Sequence, residues 1–429
     1  MHAPWNRVLK PSEQVEREKQ EGIRNRISLR HLFLYLGPAL IVSMAYMDPG
    51  NYGTDIQSGA SFAYDLLWAV WLANIMAMIL QYLSGKLGIA TGKSLAAQVR
   101  LSLKTKKFIL PYWVASEAAA AATDLAEYLG TVIALNLLFG VPLLYASIFG
   151  AADVIILLAL TSNRFRVVEY FFMVFVSIIG IGFLYQVTII GPNLSEIAYH
   201  SVAVSVNSQT ILLVVGIVGA TVMPHAIHVH SWLTKNRLTT GTIEEKRRHR
   251  RLHLRETVVT LTIAGLVNVA ILVSAAAAFH GKYSSVASVN DAYQVMVPLY
   301  GYLAAAVFAI TLLASGLASS VTGTLAGQTI MIDLLGGKVN KTLRRIVTRV
   351  INVFPTTIAI LIGLNPLSLL VYSQVFLSLT IPLPMIPLII YTSRRRMMGE
   401  FVNRRITTVL GVLSAVVIIL LNIYLLATL

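Results

Sequence analysis

Five stretches of this chain contain no Asp, Glu, Lys or Arg: Leu66–Gly85, Tyr170–Ser195, Leu299–Ile332, Val350–Ser393 and Ile406–Leu429. Each reaches the roughly 20 residues that cross a bilayer as helix. Of the 429 residues, 56 % are apolar and 12 % charged, about half the roughly 25 % charged content of soluble proteins. A soluble fold is excluded. The absence of cysteine also excludes a disulfide-stapled or thiolate-metal protein. The net charge of +15 would suit a nucleic-acid binder, but such proteins spread many charges over a wet surface. Here the charges are few and clustered, so the partner expected is a lipid bilayer and not a nucleic acid.

Splitting the chain at charged or Pro/Gly-rich breaks predicts eleven helices, near 33–61, 66–86, 109–137, 143–162, 167–189, 209–233, 256–279, 299–333, 346–363, 367–392 and 406–427. With the N-terminus cytoplasmic and the C-terminus outside, 33 of the 34 basic residues fall in cytoplasmic segments, and Lys282 alone falls outside. An excess of Lys and Arg on the cytoplasmic side is how such topologies are set. The surplus charge is therefore a topology signal for a multi-pass protein, expected in the cell membrane. The first 31 residues mix seven basic residues with Glu13, Glu16, Glu18 and Glu21 and lack an apolar core. They are expected to form a cytoplasmic tail, not a signal peptide. Residues 32–429 read as a single transport domain, and Ala118–Ala122 as helical filler.

Two predicted spans are interrupted near their middles, the first at Asp48-Pro49-Gly50-Asn51 and the sixth at Met223-Pro224-His225. Proline inside a helix removes a backbone hydrogen bond and clashes with the preceding turn. Irregular backbone at membrane depth is tolerated where it lines a cavity or is covered by protein. The breaks lie five spans apart, in the first and the sixth, so the broken helices cross the membrane in opposite senses. That pattern predicts two inverted five-helix repeats, about 32–189 and 209–392, with an extra helix about 406–427 and a substrate site at midplane. Simple proline kinks are the alternative reading.

Asp48 lies about fifteen residues into its span, where a carboxylate costs at least ~2.5–3.5 kcal/mol and is a functional-site hypothesis by default. Met223 sits at the matching break. Its thioether is a soft ligand, whereas Mg²⁺ and Ca²⁺ prefer all-oxygen surroundings. Carboxylate, amide and carbonyl oxygens with one sulfur suit Mn²⁺ or Fe²⁺. The alternative role for such a methionine is core packing.

These residues resemble the natural resistance-associated macrophage protein (Nramp) family of proton-coupled divalent transition-metal importers. The resemblance extends past both breaks, into Thr54-Asp55-Ile56-Gln57-Ser58-Gly59-Ala60 and Asp124-Leu125-Ala126-Glu127-Tyr128-Leu129-Gly130-Thr131. It continues in Ala314-Ser315-Gly316 and Thr322-Gly323-Thr324-Leu325-Ala326-Gly327-Gln328. It implies metal binding by the side chains of Asp48, Asn51 and Met223 and by the carbonyl of Ala220, with Gln374 joining as the site closes.

Proton coupling needs titratable groups within the membrane, and the third span carries Glu117, Asp124 and Glu127. At about 100° per residue, Asp124 lies about 20° from Glu117 and Glu127 about 60° further, so one stripe carries all three. Structural ion pairs with Arg or His are the alternative. The resemblance places Asp124 and Glu127 on a proton route with His225 beside them and Arg349 as a partner. Glu117 is nearer the cytoplasmic end. A cation and a proton compete for the Asp48 carboxylate, which offers a simple coupling logic.

His225, His228 and His230 form a cluster, but no HExxH spacing is present to support a metalloprotease. His228 stands where the family usually has an aromatic or aliphatic residue. Ala226 replaces a usual Asn, and Leu317 a usual polar residue. Both bear on coupling and gating, and His228 is a candidate to restore a polar contact or add a ligand.

The expected protein is thus an all-α, eleven-helix secondary transporter with broken helices 1 and 6. It imports Mn²⁺ or Fe²⁺ with H⁺, is not an enzyme and has no resident cofactor. The alternatives are an amino-acid symporter of the same architecture and an intramembrane metalloenzyme built on the histidines.

Overall fold

The structure, a computed structural model, describes residues 38–150, 165–235, 241–281, 289–336 and 357–428. The predicted tail, Arg349 and most of the helices expected near 143–162 and 346–363 lie outside the described residues. Every regular element among the described residues is helical.

The first half of the chain contains α1 (Pro38–Ser43), a 3₁₀ turn (Met44–Met47), α2 (Pro49–Phe62), α3 (Leu67–Thr91), α4 (Leu95–Leu103), α5 (Lys106–Phe139), α6 (Leu143–Gly150), α7 (Phe165–Ile190) and α8 (Leu194–His200). The second contains α9 (Ile211–Thr221), α10 (Pro224–Lys235), α11 (Ile243–Phe279), α12 (Val289–Tyr300), α13 (Tyr302–Leu335), α14 (Pro366–Thr380), α15 (Pro382–Ser393), α16 (Arg395–Met398) and α17 (Arg405–Thr428).

Eight helices among the described residues are long and apolar enough to cross a membrane. The first expected span, which the structure divides into α1 and α2, is not one of them. Pro111 stands inside α5, near its start. The seventh expected span starts thirteen residues early, at Ile243, because Thr242 and Glu245 form a capping box. The eighth starts at Tyr302, after Gly301 takes the left-handed φ of 86° and ends α12. The tenth is divided at Ile381-Pro382.

The span formed by α9 and α10 is the most enclosed, with 94 % of its most apolar window buried. The corresponding values are 33 % in α17 and 22 % in α7, so these two present most of their surface outward. Nearly all of α2 is buried too. The two interrupted helices therefore stand at the centre. Glycines bring them against their neighbours: a Cβ on Gly219 of α9 would strike the carbonyl of Gln374 in α14, and one on Gly130 of α5 would strike Pro49. Small residues at helix crossings let backbones approach in this way.

Candidate metal site and its polar surroundings

The proline of the first break begins a helix. Asp48 is extended (φ −79°, ψ 165°), Pro49 occupies the first turn of α2, and the Asp48 Oδ1 accepts the Asn51 N–H at 2.9 Å. An aspartate cap followed by proline is a strong helix-start combination. The carbonyls that the break leaves unpaired are taken by side chains from neighbouring helices. Ser315 Oγ donates to the Met47 carbonyl, and Asn268 Nδ2 donates to the Tyr46 carbonyl at 3.0 Å. Thr322 Oγ1 donates to the Ile41 carbonyl at 3.0 Å. Helices α11 and α13 thus hold the irregular segment in place, as burial of backbone in the membrane demands.

Asn51 ties the two breaks together. Its Nδ2 donates to Asp48 Oδ1 at 2.7 Å and to the Ala220 carbonyl at 3.1 Å. Its Oδ1 accepts from Thr221 Oγ1 at 3.3 Å and from Asn268 Nδ2 at 3.1 Å. The amide orientation follows from these four bonds. One N–H₂ group therefore stands between two oxygens, one from each broken helix, that a cation would bridge.

The other Asp48 oxygen, Oδ2, is buried and has no hydrogen-bond partner among the described residues. It lies over Gly50, where an added Cβ would be 2.9 Å away and would also strike the Gln374 amide. The absence of a side chain at Gly50 is what lets Gln374 approach Asp48. Gln374 Nε2 donates to Ser373 Oγ at 3.0 Å, and its Oε1 is buried without a partner. Met223 is fully buried between Val222 (φ −98°, ψ 62°), which ends α9, and Pro224, which begins α10. The structure thus gathers Asp48, Asn51, Ala220 and Gln374 at one place, with Met223 on the same break as Ala220.

Asp124 and Glu127 lie together on α5 over Gly323 of α13. A Cβ there would sit 2.8 Å from Asp124 Oδ1 and 2.6 Å from Glu127 Oε2. Both are buried, whereas Glu117 is half-buried on the same helix. His225 Nδ1 pairs with Thr123 Oγ1 at 3.1 Å, which joins α10 to the residue next to Asp124.

The three histidines do not converge. His230 Nδ1 pairs with Gln81 Oε1 at 2.8 Å, and Gln81 Nε2 donates to Tyr46 Oη at 2.6 Å. His228 sits edge-on to the Tyr112 ring, 6.3 Å between centroids, and neither ring nitrogen has a hydrogen-bond partner among the described residues. Among the described residues no three His, Cys, Asp or Glu side chains form a metal-binding group. The three histidines face different partners and so do not form the cluster on which the metalloenzyme alternative is built.

Sequence reasoning missed Asn268, Thr221, Gln81 and Tyr46, which position the breaks. The available signal was weak: Asn268 and Gln81 are amides inside apolar spans, where a polar side chain needs a specific partner.

Residues 39–428 match the family described as natural resistance-associated macrophage protein-like. The chain is 43 % identical over 399 residues to the divalent metal cation transporter MntH of Deinococcus radiodurans, covering 93 % of this chain and 90 % of that protein. It is 40 % identical to the MntH of Acidiphilium cryptum, covering 97 % and 95 %. Among solved structures, the manganese transporter of Eremococcus coleocola, in complex with an aromatic bis-isothiourea substituted compound, superposes with a TM-score of 0.83. Its identity is 31 %, over 95 % of this chain and 89 % of that one. The nucleobase-cation-symport-1 transporter Mhp1 in a closed conformation shares the fold alone, at 14 % identity and a TM-score of 0.53, with 92 % and 89 % covered. Family profile, relatives and fold agree along almost the whole chain, which therefore belongs to the natural resistance-associated macrophage protein family.

Proposed function

We propose that the protein imports Mn²⁺ or Fe²⁺ into the cytoplasm together with H⁺. The cation would be held by Asp48, Asn51, the Ala220 carbonyl, Met223 and Gln374. The observation that carries this reading is the convergence of Asp48, Asn51, Gln374 and the Ala220 carbonyl where two interrupted helices face each other. The relatives' names point the same way, to divalent metal cations and to manganese.

The Asn51 amide suggests how the site fills. An arriving cation displaces the N–H₂ from between Asp48 Oδ1 and the Ala220 carbonyl. The amide turns, and its Oδ1 becomes a ligand. Thr221, whose hydroxyl either donates or accepts, and Asn268 re-pair with the turned group. Asp48 Oδ2 and Gln374 Oε1, both without hydrogen-bond partners among the described residues, are the other side-chain oxygens of the set. Three kinds of oxygen and one thioether make a donor set that hard ions fill poorly.

Cation and proton compete for the Asp48 carboxylate, and the acceptors proposed for the displaced proton are His225, Asp124 and Glu127. Glu117 and Arg349 are proposed for the cytoplasmic end of that route. Access would alternate as one repeat moves against the other around the site, with the N-terminus cytoplasmic and the C-terminus outside, in the cell membrane. His230 serves the Gln81–Tyr46 link beside the first break.

An amino-acid symporter fits less well. The half-helix N-terminus that would receive a substrate carboxylate is already occupied by the Asp48 side chain. The test is Mn²⁺ uptake by proteoliposomes that hold a pH-sensitive dye. Uptake accompanied by acidification of the lumen is expected. Mn²⁺ uptake without acidification would contradict the proton coupling, and uptake of an amino acid without Mn²⁺ would contradict the whole reading.

A further inference from the structure

Asp55 lies one turn beyond Asn51 on α2 and is 1 % exposed. Neither carboxylate oxygen has a hydrogen-bond partner, and no ion pair reaches it among the described residues. Ser58, a turn further on, is fully buried and its Oγ is also without a partner. The site around Asp48 uses neither residue.

Asp55 is seven positions after Asp48, which places them about 20° apart around the helix and about 10 Å apart along it. Asn51 and Ser58 lie together on one side of the same stripe. Asn51 meets Asn268 of α11 at 3.1 Å, and a Cβ on Gly59 would strike the Leu272 carbonyl of the same helix. The stripe therefore follows the α2–α11 seam from Asp48 toward the end of α2 that the topology places outside.

A buried carboxylate with no donor is costly unless a cation or proton joins it. A carboxylate and a hydroxyl are hard oxygen donors, which suit Mn²⁺ and Ca²⁺ alike and include no sulfur to tell them apart. We propose that Asp55 and Ser58 form an outer cation station, at which an incoming divalent ion exchanges part of its water for protein oxygens before it reaches Asp48. The inference rests on the transport reading above. The two stations divide the work. The outer one takes divalent cations by charge and hardness, and the inner one selects among them with Met223. External Ca²⁺ should then compete with Mn²⁺ for the outer station without being carried.

The test uses the full chain in proteoliposomes, with initial Mn²⁺ uptake measured against external Mn²⁺, with and without Ca²⁺. Asp55→Asn keeps the shape and removes the charge. It is expected to raise KM for Mn²⁺ roughly tenfold, as loss of one charged contact implies. Vmax should stay near the native value, and inhibition by Ca²⁺ should weaken by a similar factor. Ser58→Ala should shift KM in the same direction by a smaller factor, and Asp55→Glu should retain the Ca²⁺ inhibition. Unchanged KM and Ca²⁺ inhibition in Asp55→Asn would overturn the station, as would a fall in Vmax at native KM. Absence of Mn²⁺ uptake by the native protein would instead overturn the transport reading itself.

Discussion

Replacing Asp48 with alanine is expected to reduce Mn²⁺ uptake to the rate of empty liposomes. Asp48 is the one charged ligand in the proposed set, and it is fully buried. Removing the charged partner of a buried pair costs about 3–5 kcal/mol, a factor of roughly 10² to several times 10³ in affinity. Alanine would also remove the cap on Asn51 N–H, worth about 1 kcal/mol. Asp48→Asn separates the two losses, because the asparagine oxygen still caps α2 while the charge is gone. Both variants should lose uptake, and Asp48→Asn should keep the thermal stability of the native protein in detergent. Native uptake by a well-folded Asp48→Asn protein would remove Asp48 from the metal site.

Replacing Met223 is expected to change what is carried more than how fast. A thioether discriminates against ions that hold their water or oxygen ligands tightly. Met223→Ala would also leave a cavity in a fully buried position, at about 2–5 kcal/mol. Met223→Leu removes the sulfur and conserves volume, so the structural cost stays below about 1.5 kcal/mol. The leucine variant should still carry Mn²⁺, with discrimination against Ca²⁺ reduced roughly tenfold or more, equivalent to about 1.4 kcal/mol of differential affinity. The check is Ca²⁺ and Mn²⁺ uptake measured side by side. Unchanged discrimination in Met223→Leu would reduce Met223 to packing.

The two breaks were visible from the sequence because Pro49 and Pro224 interrupt otherwise apolar spans, and the first carries a carboxylate, Asp48, that is costly at that depth. Helix α2 begins where the Asp-Pro pair places it. The supporting residues were not visible. Asn268 is 217 residues from Asn51 and Ala220 is 169, so neither contact follows from periodicity along one helix. The direction of the Asn51 amide depends on four partners from three segments, which only the crossing of α2, α9 and α11 brings together. Asp55 stands within a motif legible in the sequence, but its lack of a partner among the described residues is a property of the packing. The charged start of α11 was misplaced because Lys246–Arg255 reads as a loop by charge, whereas the Thr242–Glu245 capping box makes it helix.

In the proposed function one divalent cation sits between the two breaks. Anomalous diffraction at the manganese edge, from crystals of the full chain grown with Mn²⁺, locates the ion directly. A peak is expected within coordination distance of Asp48, Asn51, the Ala220 carbonyl and Met223, and it should be lost in Asp48→Asn. A peak at His225 and His228 instead, unchanged in Asp48→Asn, would contradict it.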